Sequence, residues 1–280
     1  MNCVRFISIL FAITLLAACS DTEQKVSKEE AANFSTSLEN DVKNLKIDFL
    51  EKNIIPAAFL KRLYEAGDLK PSSRMEVEMK KMIGTNQNEK NIYEIMGGKG
   101  AFKKVKQYEK DGSQHIIYRI SGAGGFTYMD TELTRFKQQL GIADIFLFNT
   151  GENLSASVAD LMKKLLSHEQ SAVAQTLSAR LTRISRHLKN TDYELAKTEF
   201  DRLPYDIRNN RLYEMRYLEI LSHLDEEVYK EYQEKIEAKY AADPGFQLMM
   251  IDVYLNQQKF DKALGSINQI DSVINKDPFL

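Results

Sequence analysis

The spacing of apolar residues changes twice along this chain, and each change limits the folds that the chain can adopt. Up to about residue 100, apolar side chains such as Phe34, Leu38 and Val42 recur every three or four positions, which is typical of amphipathic helices. From Ala101 the period is two, as in strands, and after Gly151 the helical period returns. This order predicts an α+β fold in which N-terminal helices pack on a curved four-stranded antiparallel sheet, followed by an all-α domain of helical hairpins.

Capping and turn residues divide these segments into elements. Ser27 and Glu30 have the spacing of a capping box, so the first helix is expected to begin there. Further N-terminal helices are expected at residues 56–66, 75–83 and 91–96. Four strands are expected at residues 102–109, 114–121, 126–136 and 142–149. The links between the strands are short and contain glycine, which indicates an antiparallel meander.

Composition excludes some classes of function. The 280 residues are 43% hydrophobic and 28% charged, which is ordinary for a globular chain and leads us to expect two domains. The 38 basic and 40 acidic residues give a net charge of −2. Binding to nucleic acid requires a concentrated basic field. We therefore expect no nucleic-acid partner.

Residues 1–18 have the composition of a secretory signal peptide. Arg5 precedes an apolar run, and small residues follow that run up to Cys19. The run is shorter than the ~20 residues that span a bilayer. The sequence LLAAC, which ends at Cys19, resembles a bacterial lipobox. The resemblance implies cleavage before Cys19 and acylation of that residue with fatty acids such as palmitate. The alternative is an ordinary signal peptide with a chance cysteine.

Acylation of Cys19 would make the membrane the first partner of this protein. Two or three acyl chains give stable anchoring, whereas one is marginal. Residues 19–26 are polar and are expected to form a flexible lipidated tether. Ser20 follows Cys19, and in enterobacteria a serine there usually accompanies sorting to the outer membrane. We expect a lipid-anchored protein of the bacterial cell envelope, on the periplasmic face of the outer membrane rather than on the inner membrane.

The strand region resembles a known family. The run YRISGAGGFTYMDTELTRF…IADIFLFNTGENLS is similar to the strand half of nuclear-transport-factor-like cone domains. This resemblance covers residues 27–160 and rests on the order and pattern of the elements. It implies a bent sheet that wraps helices around a pocket, and it transfers no catalytic motif. We assign the cone-like α+β domain to residues 27–152.

Carboxylates alternate with aromatic residues on two of the expected strands. Residues two apart on a strand share a face, so Tyr128 and Asp130 are expected together, as are Asp144 and Phe146 with Ile142. A carboxylate desolvated by aromatic rings would have a raised pKa and could serve as a general acid or base. Alternatively, these acids face solvent or pair with arginines across strands. The candidate pocket residues are Tyr118, Tyr128, Asp130, Asp144 and Phe146, with His115 as a possible helper.

No other motif supports chemistry. The glycines do not follow the GxGxxG order, the four histidines form no HExxH or Cys/His cluster, and GxSxG is absent from the sequence. We expect no catalytic residue, no metal and no cofactor, and a binding protein rather than an enzyme.

The helical C-terminal region, residues 153–280, resembles a second family. Asp243-Pro244 and Asp277-Pro278 lie 34 residues apart, which is the tetratricopeptide period. Tyr254, Phe260 and Ala263 have the relative spacing of the aromatic and small positions of that family. The segments DYELAKTEFDRL and EEVYKEYQEKI resemble parts of earlier, degenerate repeats. An unrelated helical bundle is the alternative.

Helical repeats imply a groove for a protein or peptide partner at residues 168–280. The residues that could line such a groove are Tyr213, Arg216, Tyr217, Tyr229 and Tyr232. Two functions therefore follow from the sequence. The first is an envelope lipoprotein that binds a protein partner through its helical repeats. The second is a cone-domain enzyme or small-molecule carrier with a pocket on the sheet.

Overall fold

The structure is a computed structural model that describes residues 22–280 apart from positions 74, 78, 80–86, 124, 169–171 and 275. The predicted signal peptide, Cys19 and residues 20 and 21 of the predicted tether lie outside the described residues. Part of the helix expected at 75–83 lies outside them too, and its described positions are helical. Within the described residues, no helix is both long enough and apolar enough to cross a membrane.

The described residues form one antiparallel sheet and two groups of helices. The strands are β1 (Ala101–Lys110), β2 (Ser113–Gly122), β3 (Gly125–Phe136), β4 (Gln139–Leu147) and β5 (Glu152–Asn153). The N-terminal helices are α1 (Lys28–Lys43), α2 (Pro56–Gly67) and α3 (Gln87–Met96), with a short 3-10 helix at Glu51–Asn53. The later helices are α4 (Leu154–His168), α5 (Ala172–Lys189), α6 (Tyr193–Asp201), α7 (Tyr205–Arg208), α8 (Arg211–Leu221), α9 (Glu226–Tyr240), α10 (Pro244–Asn256) and α11 (Phe260–Ile274).

The α+β class and the antiparallel meander are confirmed. Within the described residues, the strands are hydrogen-bonded in sequence order from β1 to β5. The expected number of strands was four, and the sheet has a fifth. Strand β5 has two residues, and Asn153 pairs with Phe146 after the chain turns at Gly151, whose φ is +69°. A two-residue strand is too short to produce a period in the sequence, so it could not be predicted.

The N-terminal helices cover one face of the sheet, which we call the inner face. The predicted capping box is present: Glu30 N donates to Ser27 Oγ at 3.2 Å, and Ser27 N donates to Glu30 Oε2 at 2.9 Å. The helix that begins there buries Phe34 and Leu38 against the sheet. Helix α4 packs against α2 and β4 and adds Val158 to the same core. The core of the N-terminal region therefore extends beyond residue 152, where the domain boundary was placed.

The last two helices cover much of the opposite face, which we call the outer face. Ile117 and Phe148 of the sheet region pack there against Leu248 and Ile251 of α10 and Ile270 of α11. An antiparallel sheet commonly leaves one face in water. Here the two predicted domains instead share a core through this sheet.

The C-terminal segment fastens α11 to the outer face through Asp277. Arg119 Nη1 donates to the two carboxylate oxygens of Asp277 at 2.5 and 2.7 Å, and the Tyr128 hydroxyl donates to one of them at 3.1 Å. Burial, followed by the charge of Asp277, raises the pKa of Tyr128. The ring of Phe279 lies 4.4 Å from the Arg119 guanidinium and packs against Phe126. We call this group the C-terminal latch.

A second junction joins the end of the sheet to α8 and α10. Arg211 donates to both carboxylate oxygens of Asp243 at 2.6 and 2.8 Å, and also to the carbonyl oxygen of Thr150. Asp243 in turn caps α10 by accepting from Phe246 N at 2.9 Å. A Cβ atom on Gly245 would meet the backbone of Phe148. Glycine therefore permits the close approach of α10 to the sheet.

Consecutive helices pair as α5 with α6, α8 with α9, and α10 with α11. Ala196 and Ala263 are buried in the cores of these helices. Phe260, the second aromatic residue of that spacing, is 62% exposed. The tetratricopeptide assignment stays a prediction.

Part of the predicted tether is packed on the fold. Gln24 and Arg135 exchange two backbone hydrogen bonds, of 2.8 and 3.2 Å, and Val26 is buried. Glu23 contacts α2 through Arg62 and Lys61. The expectation of a flexible tether is therefore wrong for residues 23–26, because these partners hold them against the sheet and α2.

Replacing Asp277 by alanine should lower the free energy of unfolding by about 3 kcal/mol, because the largely buried Arg119 guanidinium loses its counter-ion. Urea denaturation would measure the change. The matched control is Asp252→Ala on α10, an exposed aspartate, which should change stability by less than ~0.5 kcal/mol. Equal losses in the two variants would contradict the role given to the C-terminal latch.

Candidate functional site

A polar cavity of about 440 Å³ lies on the part of the outer face that α10 and α11 leave uncovered. Strands β3 and β4 supply its carboxylates, α2 supplies cations, and the turn between β1 and β2 supplies one side. The lining residues are Lys61, Arg62, Glu65, Lys110, Asp111, Ser113, His115, Asp130, Glu132, Asp144, Phe146 and Asn153. We call this space the polar cavity.

A bulge in β4 determines which residues face the polar cavity. The register between β3 and β4 shifts next to Glu132, so that Asp144 lies opposite Glu132 while Ile142 lies opposite Leu133. The extra residue turns Ile142 to the inner face, where it joins the helix core. The expectation that Ile142 shares a face with Asp144 is therefore wrong. A bulge breaks the period of two and leaves no signal in hydrophobicity.

Asp144 is the most buried carboxylate of the cavity, with 2% of its surface exposed. Ser155 Oγ donates to its Oδ2 at 2.5 Å, and the backbone N–H groups of Ser155 and Ile145 donate to its Oδ1 at 3.1 and 2.8 Å. Burial raises the pKa of Asp144, although these donors oppose the shift. Because Ser155 lies in the first turn of α4, Asp144 acts as a cap that fixes α4 to the sheet.

Asp130 joins two aromatic side chains at the wall of the polar cavity. The Tyr108 hydroxyl donates to its Oδ2, and His115 Nδ1 lies 3.3 Å from its Oδ1. The rings of Tyr108 and His115 stack with centroids 5.0 Å apart. Burial, and then the charge of Asp130, raises the pKa of Tyr108, so this phenol stays a donor at neutral pH. In the described part of the chain, the side chains hydrogen-bonded to Asp130 are Tyr108 and His115. Of these two, only the imidazole of His115 can carry a positive charge.

Arg62 connects the polar cavity to the first described residues of the chain. Its guanidinium donates to Glu132 at 2.6 and 3.2 Å and to Glu23 at 2.8 Å twice. Burial opposes these charges, but the hydrogen bonds outweigh it and raise the pKa of Arg62. Burial likewise opposes ionisation of Glu23, and hydrogen bonds and charge from Arg62 and Lys61 hold its pKa at about 2. Glu23 is therefore ionised at neutral pH and remains bound to α2.

The structure brings together three of the five candidate pocket residues. Asp130, Asp144 and Phe146 line the polar cavity. Tyr128 lies in the outer core beneath α10 and α11, and Tyr118 is buried in the inner core, stacked on Phe102 with ring centroids 4.7 Å apart. A cone-like pocket was expected between the sheet and its helices, and Tyr118 packs there as part of the inner core.

Sequence reasoning missed the contribution of α2 to the site. Lys61 and Arg62 lie on the helix expected at residues 56–66, for which no site residue was predicted, and no motif marks them. Their approach to Glu132 depends on how α2 crosses β4, which is a tertiary property. Lys110 and Asp111 could have been suspected, since they follow the predicted strand at residues 102–109 and lie in the turn before Ser113.

A second space, of about 460 Å³, lies between the end of the sheet and helices α8, α9 and α10. We call it the apolar groove. Its apolar wall includes Phe126, Met215, Leu218, Leu248, Met249 and Val253. Of the residues expected to line a groove, Arg216 and Tyr229 do so, whereas Tyr217 stacks on Phe200 at 4.4 Å in the helical core. The groove is thus built by both halves of the chain.

Neither a metal site nor a relative identifies the function. No group of three or more His, Cys, Asp or Glu side chains in the described part of the chain could hold a metal ion. Comparison with protein-family models, curated proteins and solved structures found no significant match to this chain. The function must therefore be argued from the two sites themselves.

If Asp144 acts as a cap for α4, the losses of stability caused by replacing Asp144 and by replacing Ser155 should not be additive. We expect Asp144→Ala to lower the free energy of unfolding by about 3 kcal/mol and Ser155→Ala by about 1.5 kcal/mol. The double variant should lose about 1 kcal/mol less than the sum, because both changes remove the same hydrogen bond. Urea denaturation of the four proteins measures this, with the exposed Glu109→Ala as the control. Strictly additive losses would exclude the cap.

Proposed function

We propose that this protein is a lipid-anchored protein of the bacterial cell envelope that binds a segment of another protein in the apolar groove. The observation that carries the proposal is the composition of the groove wall. Two methionines, Met215 and Met249, face the same space as Phe126 and Leu248, and these side chains come from the sheet and from α8 and α10. Methionine adapts its shape to different partners, which suits a surface that receives another chain.

Charge at the edge of the apolar groove narrows the class of partner. Arg216 and Glu219 pair with each other at 2.8 Å. Asp252 is exposed, and it has no ion-pair partner among the residues that the structure describes. A helix or extended peptide with apolar anchor residues and a neighbouring lysine or arginine would complement this surface. We infer a partner of that kind.

The polar cavity supports binding better than catalysis. Asp144 caps α4, Glu132 pairs with Arg62, and Asp130 accepts from Tyr108. The carboxylates are thus engaged in holding structure, and the two serines beside them, Ser113 and Ser155, donate their hydroxyls to Glu132 and Asp144. The enzyme hypothesis would rest on Asp144, whose pKa is raised by burial, with His115 as a helper.

The finer fold assignments belong to the same proposal. We infer that the helix pairs from α5 to α11 are degenerate tetratricopeptide-like repeats and that residues 27–152 form a cone-like domain. The pairing of consecutive helices supports the first assignment. Helices on the inner face of an antiparallel sheet support the second.

The lipid anchor depends on Cys19, and its test is direct. Cys19→Ala protein should incorporate no labelled palmitate and should leave the membrane fraction, because the modified thiol and the new amino terminus are both lost. Cys3→Ala is the matched control, since it removes the other cysteine of the sequence from the predicted signal peptide, and it should be labelled normally. Undiminished labelling of the Cys19→Ala protein would refute the anchor.

The apolar groove can be tested by photo-crosslinking in cells. A benzophenone amino acid at Val253, in the groove, should capture a specific protein, whereas the same amino acid at Leu255, which is exposed on α10 outside the groove lining, should not. The captured peptide should contain apolar residues next to lysine or arginine. Its synthetic copy should bind purified protein, and Met249→Asp should weaken binding at least tenfold. Equal capture from both positions, or capture of an acidic peptide, would contradict the proposal.

A further inference from the structure

The first described residues of the chain lie beside the polar cavity. Glu23 is held by Lys61 and Arg62, and both of these side chains line the cavity. Gln24 is paired with Arg135 on β3. From Glu23 onward the chain is therefore fixed relative to the cavity.

Chain length limits the distance between the cavity and residue 19. Cys19 precedes Glu23 by four residues, and four residues span at most about 14 Å when fully extended. Acyl chains on Cys19 would lie in the membrane, so the end of the sheet that holds Glu23 would stay at the membrane surface. The polar cavity would lie at that surface too.

Charges in the polar cavity are ordered by depth. Lys61 and Lys110 are exposed and lie at its mouth, whereas Asp130 and Asp144 are buried at its base. Lys110 has no ion-pair partner among the described residues. Neither buried aspartate pairs with a lysine or arginine in the described residues, and neutral donors and His115 are their partners. Buried carboxylates favour a cation nearby.

We propose that the polar cavity binds the headgroup of a membrane phospholipid in which a primary ammonium group lies beyond the phosphate; this rests on the proposed anchor at Cys19. In such a lipid the phosphate is next to the acyl chains and the ammonium is at the far end. Entry from the membrane therefore places the ammonium at Asp130 and the phosphate at Lys110. The order of charges along the headgroup matches their order in the cavity.

The same surface is poorly suited to anionic lipids in general. Lys110 is flanked by Glu109 and Asp111, and Lys61 is paired with Glu23. Attraction to an anionic leaflet needs a cluster of basic residues with few acids among them. A headgroup that carries only negative charge would also leave the buried Asp130 without a cation from the ligand. A zwitterionic headgroup would match both the acidic neighbours of the lysines and the buried carboxylate.

Calorimetric titration of the mature, detergent-extracted protein with glycerophosphoethanolamine tests the headgroup. We expect saturable binding, with glycerophosphoglycerol at least tenfold weaker because it has no ammonium group. Asp130→Asn and Lys110→Gln should each weaken binding at least tenfold. The matched control is Lys104→Gln, an exposed lysine on the same strand outside the cavity lining, which should change affinity less than twofold. Equal binding of the two headgroups, or no effect of Lys110→Gln, would overturn the proposal.

Vesicles distinguish a lipid headgroup from a soluble molecule of the same chemistry. Protein reconstituted in phosphatidylethanolamine vesicles should bind added glycerophosphoethanolamine at least tenfold more weakly than protein in phosphatidylglycerol vesicles, because lipid already fills the cavity. Equal binding in the two vesicles would overturn the membrane source. Palmitate labelling of the same preparation separates the two proposals. If the protein is labelled but binds no headgroup, the headgroup proposal alone is refuted. If the protein is not labelled, the anchor is refuted, and the titration still tests whether the cavity binds the headgroup.

Discussion

Burial of both faces of one antiparallel sheet is the constraint on which the rest of this structure depends. The N-terminal helices and α4 cover the inner face, and α10 and α11 cover most of the outer face. Asp277 completes the outer layer, because its carboxylate accepts hydrogen bonds from the Arg119 guanidinium and from the Tyr128 hydroxyl. Because the sheet belongs to both cores, the two halves of the chain cannot be treated as independent units.

The same arrangement creates both sites. Helices α10 and α11 stop short of one region of the outer face, and the polar cavity occupies the remainder. The apolar groove forms where α8, α9 and α10 meet the end of the sheet, at the junction held by Arg211 and Asp243. One site is charged and the other apolar, so a membrane component and a protein partner could be bound at once.

Local signals predicted the elements well. The capping box at Ser27 is present with both hydrogen bonds, and the meander follows from the short turns. The candidate site was predicted in part, because side chains two apart on β3 share a face and bring Asp130 beside Glu132. The β4 bulge, the two-residue β5 and the contribution of Arg62 were not predicted, since each depends on contacts between segments distant in sequence.

The sequence by itself determined the α+β order, the start of the first helix and, through Cys19, the hypothesis of a lipid anchor. These depend on residue type and on spacing over a few positions. The tertiary structure alone decided that the cavity lies on the outer face, that Tyr118 and Tyr128 are core residues, and that Glu23 is fixed beside the cavity. The physical reason is that burial and ion pairing depend on which distant segments pack together. The spacing of hydrophobic residues along the chain does not indicate which segments these are.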